Sequence, residues 1–244
     1  MIFPDIYLLS GFPFQLHQNI YGIDFPEENR MVLIDTGLDE ADRRQIQETM
    51  KIWGLEKRRI SDVFLTHAHF DHVGNAFWFE KNGARIWAGE ADAASIENGD
   101  EHTIAFAFGK KFPVCQKVER LKDGEKISLS DSCELICFHT PGHTAGSMCY
   151  ELVGKGEKVL FTGDFMQAGE EDGSARLGIR VDPGYSYKEY LSAVRKMMKV
   201  ESKAVLPGHF RPYLKPASWL MQAAYREMLV NREKYKDYEV AEVS

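Results

Sequence analysis

Apolar residues along the chain fall into short runs that alternate with amphipathic stretches, the pattern of strands interleaved with helices. Residues 2–10 and 18–25 read as strands. Arg30–Ile34 (RMVLI) is a continuous run that ends abruptly in Asp35-Thr36-Gly37, delivering a carboxylate to a tight turn. After Asp39, Ile46, Met50 and Trp53 recur at helical spacing, and Gly54 stops that helix. Ile60–Thr66, Arg85–Ala88, Cys133–Thr140, Met148–Val153, Lys158–Thr162 and Ala204–Leu206 read as further strands. Helices are predicted over Asn75–Lys81, over Tyr187–Lys199, and from Pro216 to about residue 236. The last of these places Leu220, Ala224, Met228 and Leu229 on one side, and residues after about Lys236 are expected to fray. Residues 166–184 hold four glycines and one proline and read as an irregular excursion. Residues 98–113, with AFAFGKKF between Gly99 and Pro113, fit a lid or substrate wall and equally a core-packed helix with charged ends.

Composition narrows the class. The chain has 244 residues and a net charge of −7, from 37 acidic against 30 basic residues, which opposes the basic face of a nucleic-acid binder. No apolar run approaches the roughly 20 residues that span a bilayer, so no membrane partner is expected. The N-terminus lacks the positive region of a signal peptide. Cys115, Cys133, Cys137 and Cys149 show no CxxC spacing and read as reduced thiols of a cytoplasmic protein. No composition shift marks a linker, so residues 1–244 read as one domain.

The chemistry concentrates in Thr66-His67-Ala68-His69-Phe70-Asp71-His72, directly after an apolar strand. In an extended segment residues two apart face the same side, so His67 and His69 point together. A chain reversal at Phe70 then sets Asp71 and His72 at the opening of the next helix, where free N–H groups favour a carboxylate. Such ligands suit Zn²⁺, and also Fe or Mn. A polar loop of hydrogen-bonding histidines is the alternative, but four such groups would repel or stay poorly satisfied without a cation. His143 in HTPGHTAGS, Asp164 at the end of KVLFTGD and His209 at the end of AVLPGH each sit at a strand end or Pro-Gly turn. Strand-end groups of this kind can converge at one sheet edge. VLIDTG (32–37) and VLFTGD (159–164) echo one another and fit two similar halves.

These ordered motifs, HAHFDH, PGHTAGS, TGD and PGH, with Asp35 in LIDTG, resemble those of the metallo-β-lactamase-fold hydrolase superfamily over residues 30 to 210. The resemblance implies an α/β fold, an αββα four-layer sandwich, with two metal ions at one edge: two Zn²⁺, or Fe or Mn in their place. It implies that His67, His69 and His143 bind the first ion and Asp71, His72 and His209 the second. Asp164 then bridges both, and Asp35 orients a ligand. The implied reaction is attack by a metal-bridging hydroxide on an ester, thioester or lactone of a small molecule, with Asp71 and Asp164 orienting it and carrying a proton to the leaving atom.

The complete ligand set is similar to that of glyoxalase II-type thioesterases and N-acyl homoserine lactonases. β-Lactamases of this fold usually carry Cys or Ser where Asp164 stands. Glyoxalase II-like proteins end in a helical glutathione-binding region, whereas about 35 residues follow His209 here. Ribonuclease and phosphodiesterase members share the ligands but the former add an arm not found in this sequence, and the acidic charge opposes them. An iron persulfide dioxygenase of the same fold is the runner-up, its single iron held by His67, His143 and Asp164. A non-catalytic metal-binding protein is the remaining alternative. Tyr185 and Tyr187 could assist an oxyanion or pack on the core. By analogy with the fold, Phe14, His17 and Tyr21 wall the pocket. His102 and His139 match no motif and read as structural. Arg180 and Arg211 could bind an anionic substrate or simply be solvated.

Overall fold

The computed structural model describes residues 1–171 and 173–237. The first sheet follows chain order: β1 (Ile6–Ser10), β2 (Ile20–Phe25), β3 (Arg30–Ile34), β4 (Arg59–Phe64), β5 (Arg85–Gly89) and β6 (Val118–Leu121). β1 to β3 pair antiparallel, and β3 to β6 run parallel. Parallel neighbours need crossovers. These are built from α1 (Glu40–Ile52), α2 (Phe70–Val73), α3 (Ala76–Lys81) and α4 (Glu90–Asn98). α1 starts where the Asp39 side chain accepts from Ala41 N–H, and it ends at Gly54, whose φ of 70° no β-carbon opposes.

The second sheet has the order β13-β10-β9-β8-β7, from β7 (Lys126–Ser130), β8 (Cys133–His139), β9 (Met148–Val153), β10 (Val159–Gly163) and β13 (Ala204–Pro207). β10 and β13 are parallel, and the other pairs are antiparallel. Between β10 and β13 lie a two-stranded ribbon, β11 (Gln167–Ala168) with β12 (Ala175–Arg176), and helix α5 (Tyr187–Met197). Helices α6 (Ala217–Val230) and α7 (Arg232–Tyr235) follow.

Period-2 alternation distributes the core. Val32 and Ile34 of β3 face the second sheet and pack with Leu135, Tyr150, Leu152 and Phe161. Met31 and Leu33 face the other way, against Ile46 and Met50 of α1 and Ala93 and Ile96 of α4. Behind the second sheet, Leu160 and Val205 meet Tyr190, Val194 and Met197 of α5 and Leu220, Met221, Ala224 and Met228 of α6. The layers therefore read helix, sheet, sheet, helix, with each fully buried side chain contributing about 1.5–3 kcal/mol.

Several local expectations change. Residues 98–113 do not form one core-packed helix. Two short 3₁₀ turns, Glu101–Thr103 and Ala105–Phe108, are separated by Ile104 at φ 47° and ended by Gly109 at φ 61°. The C-terminal helix is broken at Asn231, and Leu229 is half exposed rather than buried with Leu220, Ala224 and Met228. The excursion 166–184 is irregular except for the β11–β12 ribbon. The expected frayed tail lies almost wholly outside the described residues. All four cysteines are buried and free. Among the described residues, no helix is long and apolar enough to cross a membrane.

Candidate metal centre

The C-terminal ends of β3, β4, β10 and β13 lie at one edge of the sandwich and carry Asp35, the 66–72 turn, Asp164 and His209. The β8–β9 connection adds His143. Three groups of ligand atoms come within 4.8 Å of one another: His67, His69 and His143; His67, His72 and Asp164; and Asp71, His72 and His209. All seven residues singled out from the sequence are thus brought together.

Four of the five imidazoles are held from behind, and the hydrogen bonds fix which nitrogen is free. His72 Nδ1–H donates to Asp35 Oδ2 at 2.9 Å, since a carboxylate can only accept. Thr66 Oγ1 donates to the same oxygen at 2.9 Å and so receives His67 Nδ1–H at 3.0 Å. His143 Nδ1–H donates to the Ile179 carbonyl at 3.1 Å, and His209 Nδ1–H to the His17 carbonyl at 2.8 Å. Four Nε2 lone pairs are left for the cluster, the arrangement by which proteins orient ligating histidines. His69 differs: its Nε2 lies 3.4 Å from Asp182 Oδ2, a charge contact in which neither buried atom makes a hydrogen bond.

Asp164 stands between the groups. Its Oδ1 lies 3.3 Å from His72 Nε2 and 3.1 Å from His209 Nε2, and its Oδ2 lies 3.8 Å from His143 Nε2. Asp71 Oδ2 lies 3.5 Å from His209 Nε2 and accepts from Gln18 Nε2 at 3.1 Å. Asp71 and His209 form the more open side of the cluster, with side chains 15% and 20% exposed.

Electrostatics divides the cluster. Burial, then the neighbouring imidazoles, push the His67 imidazole well below its ordinary pKa, and the same causes bring His143 down to about 3. Burial opposes charge at His72 too, but the carboxylates of Asp164, Asp71 and Asp35 outweigh it and raise its pKa well above normal. His209 is raised against its burial chiefly by Asp164. Burial alone would raise Asp164, yet the facing His209 and His72 hold it well below the carboxylate range. One half of the cluster repels protons and the other draws positive charge. A divalent cation meets both demands, and it also satisfies the buried Nε2 of His67, Nε2 of His143 and Oδ1 of Asp164, which have no hydrogen-bond partner. The donor set therefore fits divalent metal.

Asp35 supports the centre without entering it. Buried at φ 60°, it accepts from Thr66 N–H at 2.8 Å as well as from Thr66 Oγ1 and His72. Asp35→Asn turns one acceptor into a donor that faces donors. Metal affinity is expected to fall about 10–100-fold, measured by competition with a chromophoric chelator. An unchanged affinity would remove the orienting role.

Three supports escape motif reading. Asp92, in the first turn of α4, accepts from Ala68 N–H at 2.8 Å, Thr144 Oγ1–H at 2.7 Å and Gly146 N–H at 2.6 Å, tying the two histidine-bearing loops together. Asp182 accepts from His102 Nδ1 at 3.1 Å and Gly184 N–H at 2.5 Å behind His69. Gln18 reaches Asp71 from the bend that precedes β2. None lies in a recognisable spacing, and only the folded chain brings each to its partner.

The weaker candidates separate. Tyr187 is buried, its hydroxyl donating to the Met228 carbonyl at 3.0 Å, and Tyr185 donates to the Tyr235 carbonyl at 2.7 Å. Both phenols are committed to the packing of this segment on the C-terminal helices α6 and α7 rather than to an oxyanion. His17 is exposed and acts through its carbonyl on His209, and Tyr21 donates to the Pro207 carbonyl at 2.8 Å. His102 stands one residue removed from the cluster, behind Asp182, whereas His139 holds the Ala145 carbonyl at 2.9 Å.

The sequence profile of the metallo-beta-lactamase superfamily matches residues 14–209. Acyl-coenzyme A thioesterase MBLAC2 of Bos taurus is 29% identical over 211 residues, covering 75% of this chain and 70% of that protein. Atrochrysone carboxyl ACP thioesterase of Aspergillus fumigatus is 27% identical over 178 residues, 73% of this chain and 46% of that protein. A metallo-beta-lactamase family protein from Thermus thermophilus superposes with a TM-score of 0.74 at 22% identity, over 96% of this chain and 82% of that one. The fold, the assembled donor set and the profile agree: the chain is a metal-dependent hydrolase and belongs to the metallo-beta-lactamase superfamily.

Proposed function

We propose that this protein is a dinuclear hydrolase of small-molecule acyl compounds, with a thioester ahead of an oxygen ester or lactone as the bond cleaved. The observation that carries the two-ion reading is Asp164. One of its oxygens faces His72 and His209 while the other faces His143, so it serves both sets of donors. His67, His69 and His143 would hold the first ion, Asp71, His72 and His209 the second, and Asp164 would serve both. Bound ions of this kind lower the pKa of water towards about 7 and polarise an acyl oxygen. The chain's own groups do the rest. Asp71, on the open side, takes a proton from the attacking water and delivers it to the departing atom. Asp35, Thr66 and the carbonyls of Ile179 and His17 keep the imidazoles aimed.

Two observations support an acyl thioester. The relatives reported above include two thioesterases. Exposed apolar side chains also adjoin the centre: Ile179, whose carbonyl holds His143, and Phe210, beside His209. A single-iron dioxygenase would leave Asp71 and His209 without a task, which disfavours that reading.

Elemental analysis of protein purified without added metal tests the proposal. About two zinc, iron or manganese ions per chain, and hydrolysis of acyl thioesters that stops on chelation and returns with metal, are the expected results. One iron per chain with oxygen uptake on a persulfide would overturn it.

A further inference from the structure

A second feature adjoins the centre. Two neighbouring cavities, of about 470 and 410 Å³, share Arg176 and Phe210. Each lies in the size range of small-molecule sites. The first borders the metal cluster on two sides: Phe210 follows His209, and the wall residue Gly178 lies so close to His143 that a Cβ there would meet Nδ1 at 2.4 Å. Phe210 is 40% exposed yet held at φ 61°, a conformation costly for a bulky side chain. Asn19 Nδ2 pins it by donating to its carbonyl at 2.8 Å.

The lining is cationic in a chain whose net charge is −7. Arg176, Arg180, Arg211 and Lys234 line the two cavities, against the single carboxylate of Glu170 among the described residues. Three of these cations lie over aromatic faces. Arg176 sits 5.0 Å from the Phe210 ring, Lys234 4.9 Å from Tyr235, and Arg211 5.5 Å from Phe12. Arg176 pairs with Glu170, and Lys234 with Glu227 at 3.6 Å. Both pairs are solvent-exposed on the cation side, where an ion pair contributes little and a phosphate can replace it. Cations alternating with aromatic faces suit a ligand that carries phosphates and a stacking base.

We propose that this groove binds the phosphorylated nucleotide end of the leaving thiol, so that the preferred substrate is an acyl thioester of a nucleotide-linked thiol. The inference rests on the thioester reading above. In the reaction, water oxygen bonds to the acyl carbon, the C–S bond breaks, and the proton from water ends on sulfur, giving a carboxylic acid and the free thiol. Binding the far end of the thiol spends interactions remote from the reacting carbon on orienting it.

The test compares acetyl-coenzyme A with S-acetyl-N-acetylcysteamine, which has the same thioester and no phosphate, in wild type and in R176Q/K234Q. In parallel, calorimetry on the metal-loaded protein measures binding of the free thiols coenzyme A and pantetheine. Wild type is expected to favour acetyl-coenzyme A in kcat/KM. In the double variant that preference is expected to fall at least about 10-fold, with a matching loss in coenzyme A affinity. A preference unchanged by the double substitution, or equal affinity for coenzyme A and pantetheine, overturns the groove. If neither thioester is cleaved but coenzyme A still binds and R176Q/K234Q weakens it, the thioester reading fails while the groove stands.

Discussion

Asp164→Ala is expected to lower kcat/KM by on the order of 10²–10³-fold or more, the scale for losing one preorganised charged group at a reacting centre. The reason is geometric. No other carboxylate of the cluster presents one oxygen to His72 and His209 and the other to His143. Without it, the His67, His69 and His143 group has no carboxylate among its own donors, and the other group keeps only Asp71. The variant should therefore also lose metal, read by elemental analysis after dialysis against a weak chelator. Circular dichroism should stay native, because Asp164 fixes the turn through its backbone carbonyl, which receives the Tyr190 hydroxyl at 3.3 Å. A folded Asp164→Ala protein with full metal content and normal turnover would end the bridging assignment.

Asp92→Ala should be the most costly change for stability. The carboxylate is 3% exposed and accepts from two backbone N–H groups and one hydroxyl. Burial pushes its carboxyl up, but the three donors oppose that rise. Alanine leaves Ala68 N–H and Gly146 N–H buried without partners, a loss of about 3 kcal/mol or more. That corresponds to roughly 6–12 °C in Tm, at about 2–4 °C per kcal/mol for a chain of this size. Asp92→Asn, which keeps one acceptor oxygen, should lose less. A thermal scan of the two variants decides it: a Tm within about 1 °C of wild type for Asp92→Ala would show that water or a rearranged loop takes over the donors.

The residues that could be found without coordinates share a property. His67, His69, Asp71 and His72 are crowded into six positions, and Asp35 and Asp164 each end an apolar strand, so local pattern alone marks them. Asp92 and Gln18 could not be found this way. Their partners lie 24 to 54 residues away in sequence, and nothing nearby distinguishes them from a solvated acid or amide. Tyr187 misleads for the opposite reason, since proximity in sequence to a glycine-rich excursion says nothing about which way a helix turns its first residue. The same limit explains α4, β6 and β7. EADAASIEN lacks a clean apolar stripe, and VERL and KISLS are short, partly exposed edge strands, the first paired with β5 some thirty residues earlier and the second with the adjoining β8. Residues 98–113 gave two readings because apolar content was legible and backbone sign was not. Ile104 at positive φ, which breaks the segment, is not a residue that announces such a turn.

The two sheets draw on almost separate stretches of chain, β1 to β6 before residue 122 and the other five from residue 126 onward. The donors divide along the same seam: His67, His69, Asp71 and His72 belong to the earlier stretch, and His143, Asp164 and His209 to the later one. An ion seated among them acts as a rivet between halves that already own most of their local pairing. By linkage, whatever cements the halves tightens the ion, and whatever withdraws the ion loosens the seam. A chain cut between residues 122 and 125 should consequently yield two fragments whose reassociation tracks free metal concentration, making the joint between the sheets a gauge of metal supply.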